Sequence, residues 1–335
     1  MKKTLLFIFL GAINFVSSQV LQSENFNGLT VGNIGANLTG TTSGQGGYFT
    51  YVASGGVLSD FQIVAEGGAY ANVLQITGSN SASNTRYLWK DGLDTAWGSR
   101  TAGNDVINIE FDFFTGGAST SKNRQGVYLY NAAGDKVLVG FSFVVETKTL
   151  LGVCYLDNAG TLGNYSLNLA ASPVVLTANQ WVRVGMSFNI STGQVFWKGP
   201  GFYGSFNGAA AGQAPAEIDY IVTPGTSNTV ASVAKFDNLY AFAAATENLL
   251  GTDDFESNDL SKITVYPNPA NNILNINSLS AIKSVKFIDI NGRIIKEIIS
   301  HEINSQINIS DLNSGIYFIS IETENGTTTE KLIKK

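Results

Sequence analysis

Glu110 and Asp112 alternate along Val106–Phe114, while Ile107, Ile109, Phe111 and Phe113 take the other positions. That alternation predicts a half-buried antiparallel strand with both carboxylates on its polar face. Two carboxylates so placed can act as acid and nucleophile in glycoside cleavage. They are equally the ordinary polar face of a strand. A second constellation surrounds Trp89 and Trp97, which flank the polar, turn-rich segment Lys90–Ala96. An indole can take the apolar C–H face of a sugar, and Arg86, Asp91, Asp94 and Arg100 could hold its hydroxyls. Loops carry binding more often than strands do. The competing reading is that both rings cap the end of the fold as buried hydrophobes. Trp197, Phe202, Tyr203 and Phe206, around Gly199-Pro200-Gly201, form a second aromatic cluster open to the same two readings.

The elements that must position these residues are β-strands. Short apolar runs are broken by Gly, Asn, Asp and Ser: Tyr48–Val52, Phe61–Ala65, Val73–Thr77, Val106–Phe114, Gly126–Tyr130, Lys136–Val145, Thr149–Leu156, Trp181–Ile190, Gln194–Lys198 and Val233–Phe242. No segment holds a helical period over ten or more residues. The expected fold class is all-β: a two-sheet jelly roll over 19–245, then a small second sandwich over 262–335. Residues 246–261, with Asp253, Asp254, Glu256 and Asp259, are expected to be an acidic linker. Residues 1–18 are expected to be a signal peptide, with Lys2 and Lys3 before an apolar stretch and Val16 and Ser18 at the cleavage positions. After its removal no segment is apolar enough to span a membrane. Losing Lys2 and Lys3 takes the formal charge from −6 to −8. With no basic run, nucleic acid is not an expected partner. Cys154 is the single cysteine, so no intrachain disulfide can form, and its apolar run makes it a core residue.

The C-terminal region carries the most specific pattern. Val265-Tyr266-Pro267-Asn268-Pro269 is followed by Ile288-Asp289-Ile290-Asn291-Gly292-Arg293. Leu312-Asn313-Ser314-Gly315-Ile316-Tyr317-Phe318 and a final Lys331-Leu332-Ile333-Lys334-Lys335 complete it. This order resembles the type A C-terminal sorting domain of the type IX secretion system of Bacteroidetes. The resemblance implies an immunoglobulin-like sandwich, export to the outside or the outer-membrane surface through the periplasm, and the secretion machinery as partner. Pro267, Asn268, Pro269, Gly292, Gly315, Tyr317 and Lys331 are the residues it singles out. The prolines are expected at an edge and Gly315 in a turn. His301, the only histidine, falls in this domain. If the domain is removed on export, no histidine-based catalysis or metal site remains.

The segment Asn179-Gln180-Trp181-Val182-Arg183-Val184-Gly185-Met186-Ser187-Phe188 is similar to the laminin-G-like and concanavalin-like jelly rolls. Glu24-Asn25-Phe26 resembles their first strand and Phe236-Asp237-Asn238-Leu239-Tyr240 their last. By that resemblance Trp181 is a core residue, and Asp157 and Asp237 could join a calcium site, although no EF-hand loop is present. Concanavalin-like glucanases need a third alternate carboxylate, and here Phe114 takes its place. Asp94-Thr95-Ala96 also resembles a short O-glycosylation motif of Bacteroidetes. The expected function is a secreted or surface adhesin that binds polysaccharide or cell-surface glycan and requires no cofactor, with calcium possible. A glycoside hydrolase or polysaccharide lyase using Glu110 and Asp112 is the alternative, and a structural surface protein a third.

Overall fold

The computed structural model describes residues 18–250, 263–278, 281–289, 293–323 and 326–335, with no side-chain description at 326–328. The expected signal peptide up to residue 17, the linker from 251 to 261 and Gly292 lie outside the described residues. The chain divides into two compact units at 250/251.

The first unit begins with β1 (Gln19–Glu24), β2 (Gly32–Asn33), β3 (Tyr48–Tyr51), β4 (Phe61–Ala65), β5 (Asn72–Thr77) and β6 (Arg86–Lys90). The short helix α1 (Leu93–Gly98) follows. Next come β7 (Val106–Phe114), β8 (Arg124–Asn131), β9 (Val137–Val144), β10 (Thr149–Asn158), β11 (Thr161–Asn168) and β12 (Val174–Val175). The unit closes with β13 (Trp181–Asn189), β14 (Gln194–Gly199), β15 (Phe202–Asn207), β16 (Pro215–Thr223) and β17 (Val233–Ala244). One sheet runs β15-β14-β13-β7-β17-β5-β4-β2, with β1 also on β17. The other runs β11-β10-β9-β8-β16-β6-β3, with β12 on β10. Neighbours in sequence are often not neighbours in the sheets, and every pairing is antiparallel, so the unit is a jelly-roll β-sandwich.

Side-chain alternation builds its core. Ile107, Ile109, Phe111 and Phe113 of β7 point inward and meet Phe141 and Phe143 of β9. The ring centroids lie 6.0 Å apart for Phe111–Phe141 and 5.2 Å for Phe113–Phe143. Each such buried side chain stabilises the fold by roughly 1.5–3 kcal/mol relative to exposure. The first and last strands of the unit pair, Glu24 opposite Leu239. The boundary differs from expectation. Asn248 N donates to Asn108 Oδ1 at 2.9 Å, and Leu250 N to Glu110 Oε1 at 2.6 Å. Leu249 and Leu250 are buried. Residues 246–250 therefore belong to the sandwich, because the outer face of β7 presents buried polar groups that need partners.

The second unit holds β18 (Thr264–Tyr266), β19 (Ile273–Asn277), β20 (Ile282–Asp289), β21 (Ile294–Ile299), β22 (Asn304–Asn308), β23 (Gly315–Thr323) and β24 (Gly326–Lys334). Sheets β18-β19-β22 and β21-β20-β23-β24 enclose a core that includes Leu274, Ile276, Val285, Phe287, Ile319, Ile321 and Leu332. This is a small immunoglobulin-like sandwich.

Candidate functional site

Glu110 and Asp112 lie on the outer face of β7, yet Glu110 is 0% and Asp112 1% exposed. Arg183, across on β13, holds both: Nη2 is 2.9 Å from Glu110 Oε2 and Nη1 3.3 Å from Asp112 Oδ1. Asn238 Nδ2 donates to Asp112 Oδ2 at 2.8 Å. Over Gly185 a Cβ would stand 3.2 Å from Leu249, so glycine there makes room for the 246–250 strap. The strap is held further by Lys198 Nζ, which donates to Leu249 O at 2.6 Å. An alternating carboxylate pair roofed by backbone and neutralised by a guanidinium is structural, which removes these two as catalytic candidates. Burial, outweighing Asn238 and Arg183, still holds Asp112 above the usual carboxylate range.

Asp237 belongs to the same cluster. Its Oδ1 accepts from Asn238 N at 2.8 Å, and Oδ2 has no partner. Burial, with the charges of Asp112 and Glu24, pushes its carboxyl up to about 7. Between an ordinary value near 3.8 and about 7 the folded state therefore binds a proton that the unfolded state has lost. Stability falls as pH rises through that window, by about 1.4 kcal/mol per unit. Asp237→Asn is expected to flatten this slope and raise stability at pH 8 by a few kcal/mol, about 4 at most. Urea unfolding of both proteins at pH 5 and pH 8 checks this, and an unchanged slope would remove Asp237 from the account.

The residues expected around Trp89 and Trp97 separate. The segment between them is the end of β6 and helix α1 rather than an open loop. Trp97 is in the core, 3% exposed, beneath the Arg100 guanidinium at 4.0 Å from its ring centroid. Arg86 is 4% exposed, with Nη2 2.8 Å from Asp60 Oδ2. Arg100 is engaged by Asp105 at 2.7 Å and by the carbonyl of Asn104. None of these three is free for a ligand, because side chains on the inward positions of β6 and α1 are consumed by the sandwich end. Asp94 is exposed and accepts from Thr95 N at 2.6 Å, within the first turn of α1. Thr95 is itself exposed. Asp91 is exposed, and Trp89 is partly exposed on the outer face of its sheet.

Trp89 has neighbours that sequence reasoning missed. Register places Phe49, Trp89, Asp219, Tyr128 and Gly140 side by side across β3, β6, β16, β8 and β9. Their neighbours along each strand, among them Tyr48, Leu88, Tyr220, Val127 and Val139, fill the core. The row therefore faces outward, since successive side chains alternate across a sheet. Phe49 stacks on Trp89, with centroids 5.6 Å apart and planes at 18°. Tyr51 and Tyr87 lie 6.1 Å apart, and Tyr128 and Tyr130 6.2 Å. A Cβ on Gly140 would fall 2.7 Å from the Tyr128 ring, and one on Gly126 3.1 Å from it. Two glycines thus let that ring lie down on the sheet.

Glu217 stands two residues before Asp219 on the same face. Burial, and then Glu217, hold the Asp219 carboxyl well above its usual range, and burial with the charge of Asp91, outweighing the hydrogen bond with Asp219, raises that of Glu217. Two carboxyls so close hold a shared proton to higher pH. The signal was legible: Glu217-Ile218-Asp219 has the same alternation as Glu110-Phe111-Asp112. Neither β6 nor β16 stood among the expected strands, so their pairing was invisible.

Asp157 and Asp237 stand in different sheets, and Asp157 Oδ1 accepts from Gly160 N at 2.6 Å. Among the described residues no group of three or more His, Cys, Asp and Glu is arranged for a metal. Trp197 is buried, with Nε1 donating to Gly140 O at 2.8 Å, and Phe202 is buried against Phe141, ring centroids 6.2 Å apart. Tyr203 and Phe206 are exposed. Trp181 opens β13 as expected but faces outward, stacked on Tyr70 at 4.1 Å, instead of entering the core. The inward positions there belong to Val182, Val184, Met186 and Phe188.

In the second unit the Pro-Asn-Pro segment has a defined task. Pro267 and Pro269 cannot donate to a ladder. Asn268 replaces them: Nδ2 donates to Lys331 O at 2.6 Å, and Oδ1 accepts from Ile333 N at 3.0 Å. Ala270 N then donates to Ile333 O at 2.9 Å. The segment closes the free edge of β24. Tyr317 is buried, its hydroxyl donating to Asn313 O at 3.0 Å. Gly315 opens β23 opposite Lys334 and does not adopt a left-handed conformation, contrary to the expected turn role. The Lys331 side chain is exposed.

These two sandwiches define an all-β chain with a separate C-terminal domain. Residues 264–335 match the family of the secretion system C-terminal sorting domain. That tail is a type IX sorting domain and directs the chain to the cell surface or the extracellular space, with the secretion machinery as its partner. No curated protein matches the chain. Among solved structures the chain is similar to a botulinum neurotoxin type C structure described by its interaction with two ganglioside molecules. That likeness has 12% identity, 91% of this chain, 72% of that one and a TM-score of 0.41. It is also similar to the CBM2 module of the evolved Dit of Lactobacillus casei BL23 phage J-1, with 12% identity, 70% and 99% coverage and a TM-score of 0.41. Alginate lyase A1-II' is similar at 10% identity, with 56% and 84% coverage and a TM-score of 0.41. At these scores nothing passes from them to this chain's ligand. No helix of the described residues is long and apolar enough to cross a membrane.

Proposed function

We propose that the jelly-roll unit is a glycan-binding module, delivered by its sorting domain to act as an adhesin or polysaccharide-capture protein. The observation that supports this is the outward row Phe49–Trp89–Asp219–Tyr128. Aromatic rings of this size gain most from burial, yet these are spread along a sheet face outside the core. A few convergent polar groups among apolar surface is the usual make-up of a ligand site. The row spans about 14 Å across neighbouring strands, room for a short oligosaccharide lying over the rings.

Trp89→Ala with Tyr128→Ala is expected to weaken glycan retention by roughly 2 kcal/mol or more, about thirtyfold. Polysaccharide pull-down and calorimetry with the folded double variant check this, with and without calcium. Unchanged retention would sink the reading. A cleaving activity has one observation in its favour, the carboxyl pair Glu217 and Asp219 beside the same rings. Reducing ends released by the wild type and not by Glu217→Gln would move the assignment from binding to hydrolysis.

A further inference from the structure

The aromatic face carries an acidic pair at its centre. Asp219 sits between Trp89 and Tyr128 in register, with Glu217 beside it and Asp91 close enough to raise the Glu217 carboxyl. Asp219 is 4% exposed, and its Oδ1 accepts no hydrogen bond from a donor among the described residues. A buried acceptor without a donor costs free energy that a ligand donor can recover. The other groups facing the pair are Tyr128 and Tyr130 of β8, Tyr87 of β6 and Ile221 of β16 itself.

The nearby cations are placed elsewhere. Arg124, at the start of β8 opposite Thr223, is exposed and its charge reaches the Tyr128 hydroxyl, while the charges that act on Asp219 and Glu217 are those of acidic groups. Lys90 turns towards Glu24, 4.0 Å away, and the Tyr48 ring. Lys136 is held by Asp135 at 2.9 Å.

We infer that Asp219, with Glu217 beside it, is the polar anchor of this aromatic face, and that the face selects uncharged or amine-bearing sugars over uronic and sulfated ones. The inference rests on the glycan-binding reading. A sugar hydroxyl or ammonium group donates to the acidic pair from its partly exposed Glu217 side while its apolar face lies on Trp89 or Tyr128. A carboxylated or sulfated sugar would bring a second negative charge against a desolvated acidic pair, the juxtaposition that most strongly rejects a partner.

The test is calorimetric titration of the exported protein with a soluble neutral β-glucan, chitosan oligomers and alginate oligomers. At least one of the first two is expected to bind, and alginate at least a hundredfold more weakly. Asp219→Asn is expected to weaken the favoured ligand at least tenfold and to narrow the gap to alginate, with a melting temperature no lower than wild type. Glu217→Gln reads the same selectivity should the first variant not fold. Alginate bound as well as the others overturns the inference and leaves the glycan reading standing. Selectivity unchanged in both folded variants also overturns it. Binding of none of the three overturns both.

Discussion

Replacing Arg183 with methionine is expected to destabilise the jelly-roll unit by about 3–5 kcal/mol at neutral pH. Arg183 is the guanidinium shared by Glu110 and Asp112, at 2.9 and 3.3 Å. Both carboxylates are essentially inaccessible to water. Methionine keeps most of the volume and removes the charge, so two buried carboxylates lose their counter-ion. Their pKa values rise in the folded state, and the stability of the variant falls further as pH increases through those values. Acidification should therefore shrink the difference from wild type. All four tryptophans lie in this unit, so their fluorescence follows its unfolding in urea without interference from the tail. A midpoint shift with little change in slope is the expected signature. Adding Glu110→Gln and Asp112→Asn to Arg183→Met should recover part of the loss, because neutral amides need no cation. A loss under about 1 kcal/mol would mean that Asn238 and the 246–250 strap satisfy the pair without Arg183. Glycan binding is expected to be untouched in every folded variant of this cluster, since the site proposed is on the other sheet.

Deleting Ser310–Lys335 is expected to abolish delivery to the surface. The deletion removes β23 and β24, and with them Tyr317, Ile319, Ile321 and Leu332 from the core of the sorting domain. A domain of this size has no reserve to lose two strands of a four-stranded sheet. A gentler variant separates loss of fold from loss of recognition. Asn268→Ala removes both side-chain bonds to β24 while leaving every strand in place. It is expected to cost about 1–2 kcal/mol and to lower export partially. Fractionation of a type IX-competent host, with the chain detected in periplasm, surface and medium, gives both results. Full surface delivery of the truncated chain would show that residues 264–309 suffice as signal.

The strands with clean alternation are legible in the residue pattern alone. Val106–Phe114 and Trp181–Asn189 run where their pattern places them, because a two-residue period has one inward set. The tail is legible for a different reason. Asn268, Tyr317 and the terminal strand are close enough in sequence order to form a recognisable series, and each has a local task. The short strand Arg86–Lys90 escapes the pattern, since its ends are charged and its apolar content is brief. Pro215–Thr223 escapes it as well, although proline at a first strand position is compatible with a ladder.

That second omission hides the candidate site. Glu110-Phe111-Asp112 and Glu217-Ile218-Asp219 are the same pattern on two strands. Sequence alone determined that Glu110 and Asp112 would share one face, that the chain would be all-β in two units, and that its tail is a sorting domain. Tertiary structure decided what those carboxylates meet. Beside β7 stand Arg183 and a strap of backbone, so the first pair is bridged by a cation and closed. Beside β16 stand Trp89 and Tyr128, brought from far apart in the chain by antiparallel register, so the second pair is left among rings, with no ion pair to a cation among the described residues. Register between distant strands depends on the packing of the whole core, and no local spacing in the chain encodes it.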